Sequence, residues 1–417
     1  MTSRSGAAGL TALIVLTNAM FFMFAMTTDA VGEIIQIARG ELELSNTQAS
    51  AFHWSTMIAI ALSGIFLGSL ADRIGHRRAI VAGLAVYGTA SLVLTFSSGF
   101  LVYLVLLFAG GLAIGVFKTA ALALIGDLSH STADHTRKMN TVEGFFGLGA
   151  IAGPLIVVLL NENGLPWNGL YLIAALLCAA MVLAMMRVEF PAPVTPSVEA
   201  APASSLGALK LLGNREVLGF SLAIALYVAC EVAIFVWLPT LLATYPMTGL
   251  TARLAPYAVM SFFVLRAAGR FLGVWLLTLF DWKALMLVFC GIIFACFLAA
   301  SAGGPALALY ALPVSGLFMS MIYPTLNSKG ISCVPKSQHG AAAGLILFFT
   351  ALSAAFTPLA MGFISDAAAG GDIRAGFVFA TVAAGSLFLL ATLNAWIDPV
   401  GWVLKGQDKA QYGGVSG

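Results

Sequence analysis

The sequence predicts an all-α membrane protein with twelve transmembrane helices in two six-helix bundles. Hydrophobic residues make up 60% of the 417 residues and charged residues only 9%, and the mean hydropathy is +0.98. A water-soluble domain does not need so much apolar surface. A helix that crosses a bilayer needs about 20 mostly apolar residues, and the chain contains runs of that length.

Twelve apolar runs follow one another, and they are apolar on all sides, unlike the helices of a soluble core. They lack the strand alternation of an outer-membrane barrel. We place them at 9–36, 47–71, 79–97, 100–127, 138–160, 168–187, 216–243, 252–280, 284–301, 305–331, 339–366 and 374–397.

A proline- and serine-rich segment after the sixth run predicts a linker. The expected domains are a bundle at 1–188, a cytoplasmic linker at 189–214, a second bundle at 215–398 and a cytoplasmic tail at 399–417. The halves share marks of duplication. Pro358 follows Pro154 by 204 positions, and Gly330 follows Gly126 by the same number.

The basic residues between the runs predict the orientation, because lysine and arginine favour cytoplasmic loops. With the N-terminus inside, only Arg39, Arg253 and Arg374 fall outside the cell. We therefore expect a multi-pass plasma (bacterial inner) membrane protein with both termini cytoplasmic. The five cysteines lack paired spacing, so neither a disulfide framework nor a metal site is predicted.

The loop after the second run reads G-S-L-A-D-R-I-G-H-R-R, from Gly68 to Arg78. It resembles the G-x-L-x-D-R-x-G-R-R signature of the major facilitator superfamily, with His76 the only difference. The resemblance implies two parallel six-helix repeats that rock about a central substrate site. It also implies a conformational gate in this loop, formed by Gly68, Asp72, Arg73, Gly75, Arg77 and Arg78.

Further segments resemble the fucose/proton symporter family. They are Phe318–Ile331, which contains Tyr323-Pro324-Thr325, then Thr357–Asp366, and Gly269-Arg270-Phe271. The resemblance implies import of a neutral sugar with protons; some relatives use sodium instead. This chain departs from the family in the fourth and fifth helices, and Asp29 and Glu33 straddle the position of the family's first-helix acid. Lys118 replaces the acid that precedes T-A-A in the fourth helix, and Glu143 replaces an amide in the fifth.

Ionisable side chains inside the runs are costly and usually mark a polar path. Lys118 and Glu143 are expected to form an ion pair, either structural or facing the cavity. Glu231 and Arg266 are the corresponding candidates in the second half. Asp29 has no evident cationic partner, so it can exchange protons near neutral pH, unless it is merely solvated at the external mouth, where Glu33 is also expected.

We therefore predict Asp29, Glu143 and Glu231 as proton-coupling residues. Sugars need amide or hydroxyl partners and flat apolar faces. The predicted substrate-binding residues are Asn18, His53, Lys118, Tyr227, Trp237, Arg266, Tyr323 and Asn327. Each aromatic residue among them has packing or interfacial anchoring as its alternative, and His53 has titration as its alternative.

The partners expected are a small-molecule solute, a proton or sodium ion, and the lipid bilayer, with no cofactor and no nucleic acid. The chain is expected to be a monomer and not an enzyme. It contains no P-loop, which argues against ATP-driven transport. Transport of an organic anion bound by Lys118 and Arg266, and efflux of drugs or metabolites, are the alternatives.

Overall fold

The structure, a computed structural model, describes residues 2–67, 74–128, 132–188, 190, 211–335, 338–368 and 370–412. Across these residues the regular structure is helical, without strands. The helices are α1 Thr2–Thr28, α2 Val31–Glu41, α3 Asn46–Phe66, α4 His76–Phe96, α5 Phe100–Asp127, α6 Thr132–Glu162, α7 Gly169–Arg187, α8 Arg215–Ala243, α9 Gly249–Leu254, α10 Ala258–Leu277, α11 Trp282–Gly303, α12 Pro305–Met319, α13 Ile322–Ser332, α14 His339–Ala367, α15 Ile373–Ile397 and α16 Gly401–Tyr412.

Most of the predicted spans are present as long apolar helices. Eleven segments of the described chain are long and apolar enough to cross a bilayer. The remaining predicted run, 47–71, coincides with α3 and extends into 68–73, outside the described residues. The predicted tail, 399–417, contains a helix of its own, α16.

The chain divides into two compact units, Met1–Ser197 and Val198–Gly417. In unit 1, α1 packs on α6, α3 on α5, and α4 on both α5 and α7. In unit 2, α8 packs on α14, α10 on α12, and α11 on both α12 and α15. Counted as spans, these are the same pairings in each unit, which supports the duplication inferred from the prolines and glycines. The linker boundaries, 189–214, lie mostly outside the described residues and stay a prediction.

Glycines allow several of these helix pairs to approach closely. A Cβ atom on Gly149 or Gly153 of α6 would lie 2.1 Å from a backbone carbonyl oxygen of α1. A Cβ atom on Gly269 of α10 would lie 2.1 Å from the carbonyl oxygen of Leu317 on α12. Small residues have this role at membrane helix interfaces, and Gly269 is the glycine of the G-R-F segment.

The first predicted span, 9–36, matches the apolar segment Leu10–Glu41, but a helix break divides it. Helix α1 ends at Thr28, and α2 begins at Val31. The hydroxyl of Thr27 donates to the carbonyls of Met23 and Phe24 at 3.2 and 3.0 Å, and that of Thr28 donates to Phe24 at 3.0 Å. Such bonds to the preceding turn bend helices. The break leaves Asp29 in the turn between α1 and α2.

The tenth predicted span, 305–331, matches the apolar segment Pro305–Ser332 and contains a helix break as well. Helix α12 ends at Met319 and α13 begins at Ile322. Pro324 lies in the first turn of α13, where its missing N–H costs little; inside a continuous helix the same residue would break the hydrogen-bond ladder. The division places Tyr323 at the start of a helix inside the unit.

Candidate functional site

Unit 1 contains a charged cluster centred on Lys118. The ammonium group of Lys118 lies 4.5 Å from the ring centroid of Phe24 and 5.9 Å from that of Phe21, both on α1. Contacts of this kind stabilise a cation by about 0.5–2 kcal/mol. Glu143 and Asp29 are both close enough to act electrostatically on Lys118.

The expected direct ion pair between Lys118 and Glu143 is not formed. No salt bridge joins these two side chains, both of which are described. Phe24, whose ring lies beside the Lys118 ammonium group, also packs on Phe146 of α6, with ring centroids 5.5 Å apart. Phe146 is about one turn after Glu143 on α6. Glu143 is exposed, whereas Asp29 is half-buried in the turn after α1.

Glu33 on α2 is buried, contrary to the expectation of a solvated residue. It was expected in water at the external mouth, but it is only 6% exposed. No described residue forms a hydrogen bond or an ion pair with its carboxylate. The length of the apolar segment 10–41 could have signalled this burial, because Glu33 lies within the span and not at its end.

His53 and Asn18, two predicted sugar ligands of unit 1, are both buried. His53 lines a cavity of about 20 Å³ together with Thr27, Tyr87 and other residues, and the hydroxyl of Tyr87 donates to that of Thr27 at 2.7 Å. This volume holds one water molecule rather than a sugar. The side-chain oxygen of Asn18 accepts no hydrogen bond from the described residues.

Unit 2 contains the second cluster, and there the predicted ion pair is present. The guanidinium of Arg266 on α10 contacts the carboxylate of Glu231 on α8 directly, and the two side chains are 19% and 13% exposed. Tyr227, one turn before Glu231, is fully buried. Its hydroxyl is near both charges, although it makes no hydrogen bond of normal geometry to a described residue.

Tyr323 joins this second cluster from the divided tenth span. Its ring centroid lies 6.2 Å from that of Tyr227. Asn327 is about one turn further along α13 and is half-buried. Unit 2 therefore brings together four of its predicted residues, Tyr227, Glu231, Arg266 and Tyr323.

Trp237, by contrast, belongs to the core of unit 2. It is fully buried, and its indole N–H donates to the carbonyl of Pro358 at 3.3 Å. This contact satisfies the indole N–H inside the unit, and the predicted role of Trp237 in substrate binding stays a prediction. The sequence alone does not show whether a tryptophan in a hydrophobic run packs against other helices or binds a substrate.

The signature loop is described only in part, since Gly68, Asp72 and Arg73 lie outside the described residues. Gly75 has φ of +87° and directly precedes α4, as the expected tight turn requires. Arg77 donates to the carbonyl of Met186 at 3.1 Å, in the last turn of α7, where a cation is favoured. Arg78 is exposed.

Comparison with known proteins identifies the family. The sequence profile of the Major Facilitator Superfamily matches residues 8–358. The chain belongs to this superfamily. It is therefore a membrane-embedded transporter protein of the major facilitator fold, and the predicted twelve-helix class is confirmed.

The individual relatives share only a quarter or less of their residues with this chain. The L-fucose-proton symporter of Escherichia coli K12 is 24% identical over 415 residues, which cover 91% of this chain and 92% of that protein. The multidrug resistance protein D of the same organism is 25% identical over 230 residues, covering 52% of this chain and 53% of the relative. The crystal structure of the nucleoside transporter NupG, 15% identical, aligns with a TM-score of 0.72 over 92% of this chain and 97% of that one.

These findings confirm the resemblance to the fucose/proton symporter family. The two charged clusters, however, are observed in the structure of this chain and are not inferred from its relatives. Each cluster includes a residue at a helix break, Asp29 in unit 1 and Tyr323 in unit 2. In transporters, interrupted spans typically contribute to the binding site, because their free backbone ends and polar side chains can reach the substrate and the coupling ion.

Proposed function

We propose that the protein is a secondary active transporter that imports a monosaccharide, or a similar polyhydroxylated solute, together with protons by alternating access. The main support is the pair of charged clusters at interrupted spans inside a major facilitator fold. The relationship to the L-fucose-proton symporter over 91% of the chain adds to it. We further propose a monomer in the bacterial inner membrane, with both termini cytoplasmic.

Asp29, Glu143 and Glu231 are the proposed coupling residues, and Glu33 joins them. Asp29 and Glu143 both act electrostatically on the Lys118 ammonium group, and Glu143 forms no salt bridge with it, so a proton or a solute that reaches these acids would change the charge balance around Lys118. Glu33 is a carboxyl group inside the apolar part of a span, a placement typical of proton relays. Glu231 can take up a proton only when Arg266 releases it.

The solute would bind through polar groups and ring faces of the predicted set. Asn18 and Tyr227 each have a buried polar atom that makes no regular hydrogen bond to the described residues, and such atoms are expected to find a partner. Lys118, His53, Arg266, Tyr323 and Asn327 complete the proposed set. A conformational gate formed by the 68–78 loop remains a proposal.

The test begins with the cargo. Purified protein is screened by thermal unfolding against neutral hexoses, deoxyhexoses, N-acetyl sugars and sugar acids at two pH values, because a bound ligand raises the unfolding midpoint. The stabilising solute is then used for uptake into proteoliposomes with an imposed inward proton gradient. A parallel series replaces sodium with potassium to separate the two possible coupling ions.

Variants then test the coupling. Asp29→Asn, Glu143→Gln and Glu33→Gln should abolish gradient-driven accumulation, while Glu43→Gln, at an exposed position between α2 and α3, serves as the matched control. Proton coupling would be refuted if a protonophore did not reduce solute uptake and if uptake were unchanged in all three variants.

Lys118 favours an organic anion, such as a sugar acid, as the second candidate cargo. Its ammonium group rests on an aromatic ring rather than in a salt bridge with Glu143, so a carboxylate could approach it; Arg266 is already paired. A sugar acid should then compete for binding and lose affinity in Lys118→Ala, while neutral hexoses have no effect. Resistance to apolar drugs in expressing cells would favour efflux instead, as the similarity to multidrug resistance protein D allows.

A further inference from the structure

A larger cavity lies inside unit 2, at the end where α8 and α11 begin and α15 ends. Its volume is about 460 Å³, within the usual range for pockets that hold small organic molecules. The walls are mainly apolar, and they include Phe220, Ala223, Met286, Leu387, Leu390 and Leu393. Leu390 and Leu393 are 39% and 41% exposed, so the cavity opens to the outside of the unit.

Charged side chains surround the entrance. Arg215, the first residue of α8, lines the cavity, is exposed and has no ion pair with any described residue. Glu216 beside it is the one acid of the lining. Lys329 lies with its ammonium group 5.5 Å from the ring centroid of Trp282, another lining residue. Asp281 and Asp398, which directly neighbour lining residues, are further acids at this end, and the ammonium group of Lys283 lies 3.9 and 2.8 Å from their carboxylates.

The entrance lies at the boundary between membrane and water. The spans Arg215–Ala243 and Trp282–Gly303 begin there, and the span Ile373–Ile397 ends there. Trp396 and Trp402 at this end are 80% and 78% exposed, and tryptophan is enriched at membrane interfaces. Lys283 adds no free charge, because Asp398 holds its ammonium group at 2.8 Å.

We propose that this cavity binds an anionic phospholipid, with one acyl chain between α8, α11 and α15 and the phosphate at Arg215. The apolar walls suit a hydrocarbon chain, and the exposed guanidinium of Arg215, which forms no ion pair with a described residue, suits a negatively charged headgroup. In the predicted orientation the entrance faces the cytoplasmic leaflet, whose anionic lipids attract basic pockets between helices. A soluble anion would make no contact with the apolar walls, and a neutral lipid would leave the charge of Arg215 without a counter-charge.

Lipid titration of the purified full-length protein in detergent tests the proposal. Dioleoyl phosphatidylglycerol, dioleoyl phosphatidylcholine and glycerol 3-phosphate are compared by native mass spectrometry and by thermal unfolding. We expect one tightly retained phosphatidylglycerol that raises the unfolding midpoint, weaker retention of phosphatidylcholine, and no effect of glycerol 3-phosphate.

Two variants separate the headgroup from the chain. Arg215→Ala should remove the preference for phosphatidylglycerol over phosphatidylcholine. Gly219→Phe should reduce retention of both lipids, since Gly219 lines the cavity and a Cβ there meets open space. Arg253→Ala, at an exposed arginine on α9, is the control and should behave as the unmodified protein.

Several outcomes would overturn the proposal. Equal retention of the two lipids, or a preference for phosphatidylglycerol that survives Arg215→Ala, would exclude the headgroup contact. Retention unaffected by a folded Gly219→Phe protein would place the lipid elsewhere. Stabilisation by glycerol 3-phosphate alone would indicate a soluble anion as the ligand.

Discussion

The two units have the same helix pairings but arrange the charged side chains of their spans differently. In unit 2 the Arg266 guanidinium contacts the Glu231 carboxylate directly. In unit 1 the Lys118 ammonium rests on the ring of Phe24, and its acids act on it without a direct salt bridge to Glu143. A duplicated fold therefore constrains where charges can be placed, but not whether they pair.

This difference has consequences for both stability and transport. Each member of a direct pair depends on its partner, because a charge left alone in a low-dielectric site is costly. A cation that rests on a ring does not hold Glu143 in a salt bridge, so this carboxylate can meet a solute or a proton without first breaking a direct pair with Lys118. We therefore expect the unit 2 pair to dominate stability and the unit 1 cluster to dominate coupling.

The largest effect is expected from breaking the unit 2 pair. Arg266→Gln or Glu231→Gln leaves one charge without its partner, and we expect a loss of about 3 kcal/mol, the low end for buried pairs because both side chains are partly exposed. The double variant should be less destabilised than the sum of the two single variants. Thermal and denaturant unfolding of the purified proteins measure this; strictly additive losses would mean that the pair contributes nothing.

A smaller loss is expected when the ring under Lys118 is removed. Phe24→Leu keeps an apolar side chain but abolishes the cation–π contact, which is worth about 0.5–2 kcal/mol. Phe297→Leu, at a fully buried phenylalanine of unit 2, reports the cost of losing a ring alone. If the two variants are equally stable and Phe24→Leu transports normally, the ring does not hold Lys118 in place.

Removing the charge of Glu143 should change stability still less. The side chain is exposed, so Glu143→Gln is expected to stay within about 0.5 kcal/mol of the unmodified protein. Uptake driven by a proton gradient should nevertheless fall sharply. A variant that is destabilised as much as Glu231→Gln would remove the contrast between the clusters.

The smallest effect on stability is expected at Asp372, whose carboxylate caps the start of α15 outside the span. Burial acts to raise the pKa of Asp372, but hydrogen bonds from Arg374 and from the Tyr245 hydroxyl hold it below its usual value of 3.8. A lowered pKa in the folded state stabilises above the unfolded pKa, and this contribution is lost as the pH falls through the folded value. The difference in unfolding midpoint between the unmodified protein and Asp372→Asn should be constant from pH 7 to about 5 and shrink below about 4; a difference that grows with acid would contradict this assignment.

Much of the site could be predicted because polar residues stand out against an apolar sequence. Arg266 and Glu231 are deep within their runs, and each needs a counter-charge. The burial of Glu33 was not predicted. Glu33 follows Asp29 by only four positions, and the hydropathy of the sequence does not show where the helix breaks between α1 and α2, so it does not show whether Glu33 lies inside the span or at its end. Both helix breaks lie beside residues that could have predicted them, Thr27-Thr28 before α2 and Pro324 at the start of α13. Hydropathy alone does not distinguish these residues.

The sequence by itself determined that this chain is a helical membrane protein, that its halves are repeats, and which few ionisable groups lie within the spans. Those properties depend on the order and polarity of residues along the chain. Only the tertiary structure decided that Arg266 meets Glu231, that Lys118 meets a ring, and that Trp237 is core. The physical reason is that such contacts depend on the rotation and separation of neighbouring helices, which close glycine contacts and helix breaks set in three dimensions.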